Sequence, residues 1–183
     1  LRRYNMKQTI NDKTIKEIED IFTDLGFQKF RAKQVYRQIH VNKINDFEQM
    51  TDLPKDMREK LAEDFEIQKV SLLETYASKI DSTKKYLFEL NDGNIIEAVF
   101  MEYDDRKTIC ISSQVGCRMG CTFCASTKNG LVRHLSAAEI IDEVYELERL
   151  NGDINNIVIM GIGEPLDNFK NITKFIEIIT DEK

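Results

Sequence analysis

Apolar positions recur at spacings of three and four in "TIKEIEDIFTDLGF", where Ile15, Ile18, Phe22 and Leu25 fall on one side and Gly26 supplies a stop. "RAKQVYRQIH" repeats the pattern with Ala32, Val35, Tyr36 and Ile39 on one face. "NDFEQMTDLPKDMREKLAEDF" reads as two short helices, with Asp52 placed to cap the second and Pro54 near its start. Residues 1–66 are therefore expected to form a small helical accessory domain. The period then shortens. "KVSLLETYAS", "TKKYLFELNDGN" and "IIEAVFMEYDDRK" are β-rich, and "LNDGN" is a hairpin turn, which predicts a three-stranded meander over 69–103. Residues 67–106 are expected to be a β extension or linker.

From residue 107 the predicted order is strand, cysteine loop, helix, strand, glycine turn, helix. "TICISSQV" is a short apolar strand. "LSAAEIIDEVYELERLNG" is a helix with Ser136 and Glu139 as a capping box and Gly152 as a stop. "INNIVIMGIGEP" reads as a buried strand entering a glycine turn, and "NFKNITKFIEIITDE" as a second amphipathic helix. Repeated strand–helix units imply an α/β fold with a parallel sheet. Two units cannot close a barrel, so 107–183 is expected to be the start of a core.

The chain has 183 residues, 42% hydrophobic and 32% charged, the balance of a globular protein. No run approaches the ~18 apolar residues that a membrane helix needs. "LRRYNMKQTIND" lacks the apolar core of a secretory signal, so a cytoplasmic, reducing location is expected. There, clustered cysteines are metal ligands or catalytic groups more often than disulfides. A net charge of −6 argues against a protein that coats nucleic acid over its whole surface, though not against a local basic face. The chain begins at Leu1, before the first methionine, Met6, and stops at "TDEK", so both ends read as cuts.

All four cysteines lie within fifteen residues: Cys110, Cys117, Cys121 and Cys124. The last three have the form C-x3-C-x2-C, close enough for three thiolates to converge on one inorganic centre. A closed structural zinc site takes four ligands, and so do ordinary iron–sulfur clusters. Three cysteines on a cubane leave one iron open to a substrate or cosubstrate. Spacing alone leaves zinc and iron–sulfur equally open.

"CISSQVGCRMGCTFCASTKNGLVRHLSAAEII" and "IMGIGEPLDN" narrow the choice, because they resemble the radical S-adenosylmethionine (SAM) superfamily and, within it, the RlmN/Cfr family of RNA adenine methyltransferases. "FRAKQVYRQI", "LPKDMREKL" and "IIEAVFMEYDDRKT" extend the resemblance over essentially the whole chain. "MGIGEPL" is similar to the RlmN branch, whereas the Cfr branch has alanine after the glutamate. The resemblance implies a helical N-terminal domain, a small β extension and a partial radical SAM (βα) barrel, incomplete here. It implies that Cys117, Cys121 and Cys124 ligate a 4Fe-4S cluster, whose open iron holds SAM for cleavage to a 5′-deoxyadenosyl radical. Gly163 and Glu164 match the SAM-binding "GEP" turn. Glycine there is expected to let the backbone approach the ligand, and the Glu164 carboxylate to accept from the SAM amino group.

Glu97 matches the family's proton acceptor. Cys110 matches a cysteine outside the cluster. Its implied role is to resolve a protein–RNA thioether through a transient disulfide with a methyl-carrying cysteine. That carrier would lie beyond Lys183, and no cysteine follows Cys124. The expectation is therefore a fragment of the enzyme, or a truncated, inert product. The sequence leaves open whether Glu97 or Cys110 takes the C2 proton.

The implied activity is methylation of C2 of an adenine in 23S ribosomal RNA and, by the same branch, tRNA. A reducing donor such as flavodoxin and a monomeric state are expected with it. The alternatives are Cfr-type C8 methylation, which confers antibiotic resistance, and a non-catalytic zinc-stapled RNA-binding module. Gly161 and Gly163 fail the dinucleotide pattern, and by themselves would mark only a turn. Glu97 alone would be a solvated strand residue, and Cys110 alone a small core residue. His40 and His134 have no partners at ligand spacing and read as surface or RNA-contacting residues. "FQKFRAKQVYRQIHVNK" holds Lys29, Arg31, Lys33, Arg37 and Lys43 without an acid, and Lys29, Lys33 and Arg37 are four apart. Such a face is by itself a solvated surface. Beside an RNA-methylating core it becomes a phosphate contact, with Lys128, Arg133 and His134 as secondary candidates.

Overall fold

The computed structural model describes residues 7–181; residues 1–6 and 182–183, the ends of the first expected domain and of the last expected helix, lie outside the described residues. The chain divides into two compact units, 7–68 with 177–181 and 69–176.

The first unit is helical. Thr14 and Glu17 form a reciprocal capping box that starts α1 (Ile15–Asp24), with Thr14 N–H donating to Glu17 Oε2 at 2.7 Å. Gly26 takes φ 77° just past the helix, as its stop requires. Ile18 and Phe22 on α1, and Ala32, Val35, Tyr36 and Ile39 on α2 (Phe30–His40), are all buried, so the helical period placed the core-facing residues. Burying each large side chain stabilises the unit by about 1.5–3 kcal/mol. The first of the two short helices is a three-residue 3-10 turn at Phe47–Gln49, capped by Asp46 through Glu48 N–H at 3.0 Å. Asp52 does not cap α3 (Lys55–Asp64). Pro54 takes the N-cap position, where its missing N–H costs nothing. A two-residue parallel pair, β1 (Gln8–Thr9) with β2 (Phe65–Glu66), joins the unit's two ends.

The second unit is built on a five-stranded sheet of order β3-β4-β5-β6-β9. β3 (Ser71–Ala77), β4 (Lys84–Glu89) and β5 (Ile95–Glu102) form the expected antiparallel meander. They are continuous with β6 (Lys107–Cys110), which pairs antiparallel with β5. The Asp92–Gly93 turn closes through Leu90 N–H to Asn94 O at 2.8 Å, with Gly93 at φ 80°. Along β5, Ile96, Ala98 and Phe100 are buried while Glu97 and Val99 are half-buried, the alternation of a sheet with one covered face. α4 (Ala137–Asn151) covers it, and Tyr86 on that face donates to Asn151 Oδ1 at 2.8 Å. The expected Ser136–Glu139 box caps α4, and Gly152 follows its last residue.

β9 (Asn156–Val158) returns parallel to β6 across α4, which makes the strand–helix–strand unit, and α5 (Phe169–Ile179) follows. Two expectations change. β9 is three residues long and only half-buried, because it lies at the edge of the described sheet. "TICISSQV" is not one strand: β6 ends at Cys110, and β7 (Gln114–Gly116) pairs instead with β8 (Leu131–His134) in a separate hairpin. Residues 111–114 leave the ladder because their polar groups are used elsewhere. Among the described residues no helix is long and apolar enough to cross a membrane.

Candidate functional site

The β7–β8 hairpin carries the cysteine loop as its connection. Gln114 pairs with His134, Val115 with Arg133 and Gly116 with Leu131, and Cys117 N–H then donates to Gly130 O at 3.0 Å. At this neck Gly116 has φ 71°, and a Cβ there would stand 2.1 Å from the Gly130 carbonyl oxygen. Only glycine fits.

Cys117 is buried, Cys124 half-buried and Cys121 exposed, and all four cysteines are free thiols. No pair among them is joined, so no disulfide is supported within this chain. Hydrogen bonds from the Ser126 side chain and backbone hold the Cys124 thiol below its usual range. Among the described residues no three His, Cys, Asp or Glu side chains converge at metal-ligating distance. The donor chemistry is nevertheless selective. The segment 117–130 offers three thiols and no carboxylate or imidazole, a soft set suited to iron–sulfur or zinc. Cys110 lies on β6 and not on the loop, with its thiol bonded by the Met160 backbone. Three loop thiols without a fourth fit a 4Fe-4S cluster with one open iron better than a closed zinc site.

The glycine turn after β9 rests on residues 111–114. Gly161 N–H donates to Ile111 O at 2.9 Å, Ser113 N–H to Ile162 O at 2.9 Å, and Ile162 N–H to Ser112 Oγ at 3.0 Å. Cβ atoms built on Gly161 and Gly163 would fall 2.7 Å from Ile111 O and 2.6 Å from Ser113 Oγ. Both glycines are thus required by contact with the protein's own chain. Asn168, buried, closes the turn by donating to Ser113 O at 2.8 Å and Leu135 O at 2.7 Å. Glu164 is half-buried, and its Oε1 accepts from Leu166 N–H at 3.1 Å.

Sequence reasoning passed over Gln114, Arg118, Asp167 and Glu143. Gln114 is fully buried, and its Oε1 accepts from Glu164 N–H at 2.8 Å while its Nε2 donates to Asp167 Oδ2 at 2.9 Å. Asp167 also pairs with Arg118, whose guanidinium holds that carboxyl below its usual range. A glutamine inside the apolar run "TICISSQV" was the available signal. Glu143, on α4, is fully buried and accepts from Ser112 N–H at 3.1 Å; burial pushes its carboxyl well above the usual range.

Glu97 and Cys110 share the uncovered face of the sheet, because Val99 pairs with Cys110 and Glu97 lies two residues before Val99 on β5. Glu97 Oε1 is 3.3 Å from Lys85 Nζ, and its backbone carbonyl accepts from Ser112 Oγ at 2.7 Å. Burial pushes the Cys110 thiol up. The Met160 backbone bond opposes this, and Glu143 adds to it. The thiolate fraction of Cys110 at neutral pH is therefore below that of a free cysteine. Peptide-mapped alkylation at pH 7.5 is expected to label Cys110 several-fold more slowly than Cys121 and to accelerate above pH 9. Equal rates would contradict this.

Lys29 at the N-cap of α2, and Lys33 and Arg37 on it, are exposed, while Arg31 is half-buried and donates to Gln34 Oε1 at 2.8 Å. Three of the RNA readings change. His40 is buried against the Tyr36 ring, with centroids 4.3 Å apart. His134 bonds Gln114 through Nδ1 at 3.0 Å. Arg133 is committed to both oxygens of Glu139, at 2.8 and 2.9 Å, and to Asp92 at 2.6 Å.

Residues 9–67 match the family model of the ribosomal RNA large subunit methyltransferase N-terminal domain, and residues 111–183 that of the radical SAM superfamily. The chain is 52% identical over 168 residues to a probable dual-specificity RNA methyltransferase RlmN of Lachnoclostridium phytofermentans, covering 91% of this chain and 47% of that protein. It is 46% identical over 178 residues to the protein of the same name in Thermoanaerobacter pseudethanolicus, covering 97% and 51%. A crystal structure of a radical SAM methyltransferase from Sphaerobacter thermophilus superposes with a TM-score of 0.88 at 35% identity, covering 96% of this chain and 52% of that one. The chain spans about half the length of the curated relatives it matches.

Proposed function

Since the chain belongs to the RlmN family within the radical SAM superfamily, we propose that it provides the cluster-binding and SAM-binding half of an RNA methyltransferase acting on C2 of an adenine in 23S ribosomal RNA and tRNA. The carrying observation is a three-thiol loop, closed at a glycine neck, whose Arg118 is paired to the turn that bears Glu164. Cys117, Cys121 and Cys124 hold the 4Fe-4S cluster. When bound, the cluster with SAM supplies the one-electron chemistry of a radical methyl transfer.

The chain's own residues do the rest of the work assigned here. Gly163 and Glu164 present the turn to SAM, with the Glu164 carboxylate accepting from the cosubstrate's amino group. Glu97 and Cys110, on the uncovered face, are the candidates to take the proton from C2, and the raised thiol of Cys110 favours Glu97. Lys29, Lys33 and Arg37, with Arg31 beside them, contact RNA phosphates. The target adenine is splayed from its stack so that C2 is exposed. An external reductant such as flavodoxin supplies the electron, which suits a cytoplasmic enzyme.

Anaerobic reconstitution tests this reading. The chain is expected to take up about four irons and four sulfides. It should then cleave SAM under dithionite. Stoichiometric zinc with no SAM cleavage would overturn it. Cys110→Ala is expected to keep the full iron content, and a parallel loss of iron would make Cys110 a ligand.

A further inference from the structure

Gln114 connects parts of the site that the proposed reaction needs to keep in register. Its side chain is buried between β8 and the glycine turn, and the directions of its bonds are fixed by its partners. Glu164 N–H can only donate, so the Gln114 atom 2.8 Å from it is the carbonyl oxygen. The Asp167 carboxylate can only accept, so the atom 2.9 Å from it is the amide nitrogen. The second amide proton then points to His134 Nδ1 at 3.0 Å, which makes that nitrogen the acceptor and places the His134 proton on Nε2. No rotation of the amide satisfies these partners as well. Asp167 in turn pairs with Arg118, the residue after Cys117.

We propose that Gln114 is the positioning residue of this site: its amide fixes the Glu164 backbone and, through Asp167 and Arg118, ties the glycine turn to the cysteine loop. This rests on the reading of the turn as the SAM site. The bonds themselves belong to the protein alone. Loss of the amide frees the Glu164 N–H and leaves Asp167 held from one side only. The Glu164 backbone then loses its fixed position, and the carboxylate that Leu166 N–H orients moves with it. The cysteines keep their own anchor, because Cys117 N–H bonds Gly130 and not Gln114. Gln114 therefore governs cosubstrate binding and not cluster content.

Backbone amide exchange on the cofactor-free 183-residue chain tests the bonds directly. Gln114→Leu is expected to speed exchange at Glu164 about tenfold, the effect of losing one buried hydrogen bond, with β4 and β5 unchanged. Asp167→Asn, at a more exposed position, keeps the Gln114–Glu164 bond. It should leave Glu164 protected while residues 118–124 exchange about threefold faster. In reconstituted protein, Gln114→Leu is expected to raise the Kd for SAM about tenfold at unchanged iron content. Unchanged protection at Glu164, uniform loosening of the whole sheet, or an unaltered loop in Asp167→Asn would each overturn the proposal. Should Gln114→Leu not fold, the Asp167→Asn pattern decides alone. Failure of the wild-type chain to bind SAM would count against the functional reading, and the exchange pattern would still decide the role of Gln114.

Discussion

Gly116→Ala is expected to cost about 3 kcal/mol or more and to open the neck of the cysteine loop. Two effects add. A non-glycine residue at φ 71° carries about 1–2 kcal/mol of backbone strain. The new Cβ would also lie 2.1 Å from a backbone carbonyl oxygen, and no rotamer can relieve that contact. The strands must separate, and the Cys117–Gly130 bond is lost with the pairing. Gly120→Ala is the matched control, because it has the same φ of 71° with nothing within 4 Å of its Cβ. Thermal unfolding should show a drop of about 6–12 °C for Gly116→Ala against about 2–8 °C for Gly120→Ala. Iron uptake should fall only in the first variant. Equal behaviour of the two would mean that the neck does not depend on close approach.

Replacing any one of Cys117, Cys121 and Cys124 with alanine is expected to abolish iron binding, from about four irons per chain to less than one. Cubane ligation by three thiolates leaves no spare, and the loop holds no other side chain able to substitute. His134, at the end of β8, is held by Gln114. Iron and sulfide analysis after anaerobic reconstitution, with the charge-transfer absorption near the visible range, reads the outcome. A cluster retained in all three variants would remove these cysteines from the site. The folded chain should survive in each case, since Cys121 is exposed and Cys124 half-buried. Only Cys117, buried beside the neck, is expected to show a measurable loss of stability as well.

Much of the fold is legible in the sequence because burial imposes a period. Ile18, Phe22, Val35 and Ile39 lie where helical spacing puts them, and Ile96, Ala98 and Phe100 alternate as a half-covered strand must. Local capping chemistry is equally readable, as at Ser136 and Glu139. The break in "TICISSQV" is not. Its residues are apolar or small enough for a strand, and the ladder ends because Ser112 and Ser113 bond a turn some fifty residues away. A contact of that separation leaves no trace in a local pattern. The same holds for the site. C-x3-C-x2-C marks the loop by itself, whereas Gln114 and Asp167 are ordinary polar residues until the fold brings them together. Arg133 shows the converse: it reads as a free cation, and three hydrogen bonds to Asp92 and Glu139 commit it to holding the β4–β5 turn against the start of α4.

The four residues 111–114 have a consequence for engineering. Each of them bonds the glycine turn or the residues that frame it, and two glycines of that turn sit closer to them than any side chain would permit. The cysteine loop is therefore not portable. A graft of 117–130 onto another hairpin would carry the three thiols but neither Gln114 nor the carboxylate that Arg118 needs. A transplant that keeps the three thiols and the glycine turn in mutual alignment has to move 111–134 together with 159–168, as one indivisible cassette.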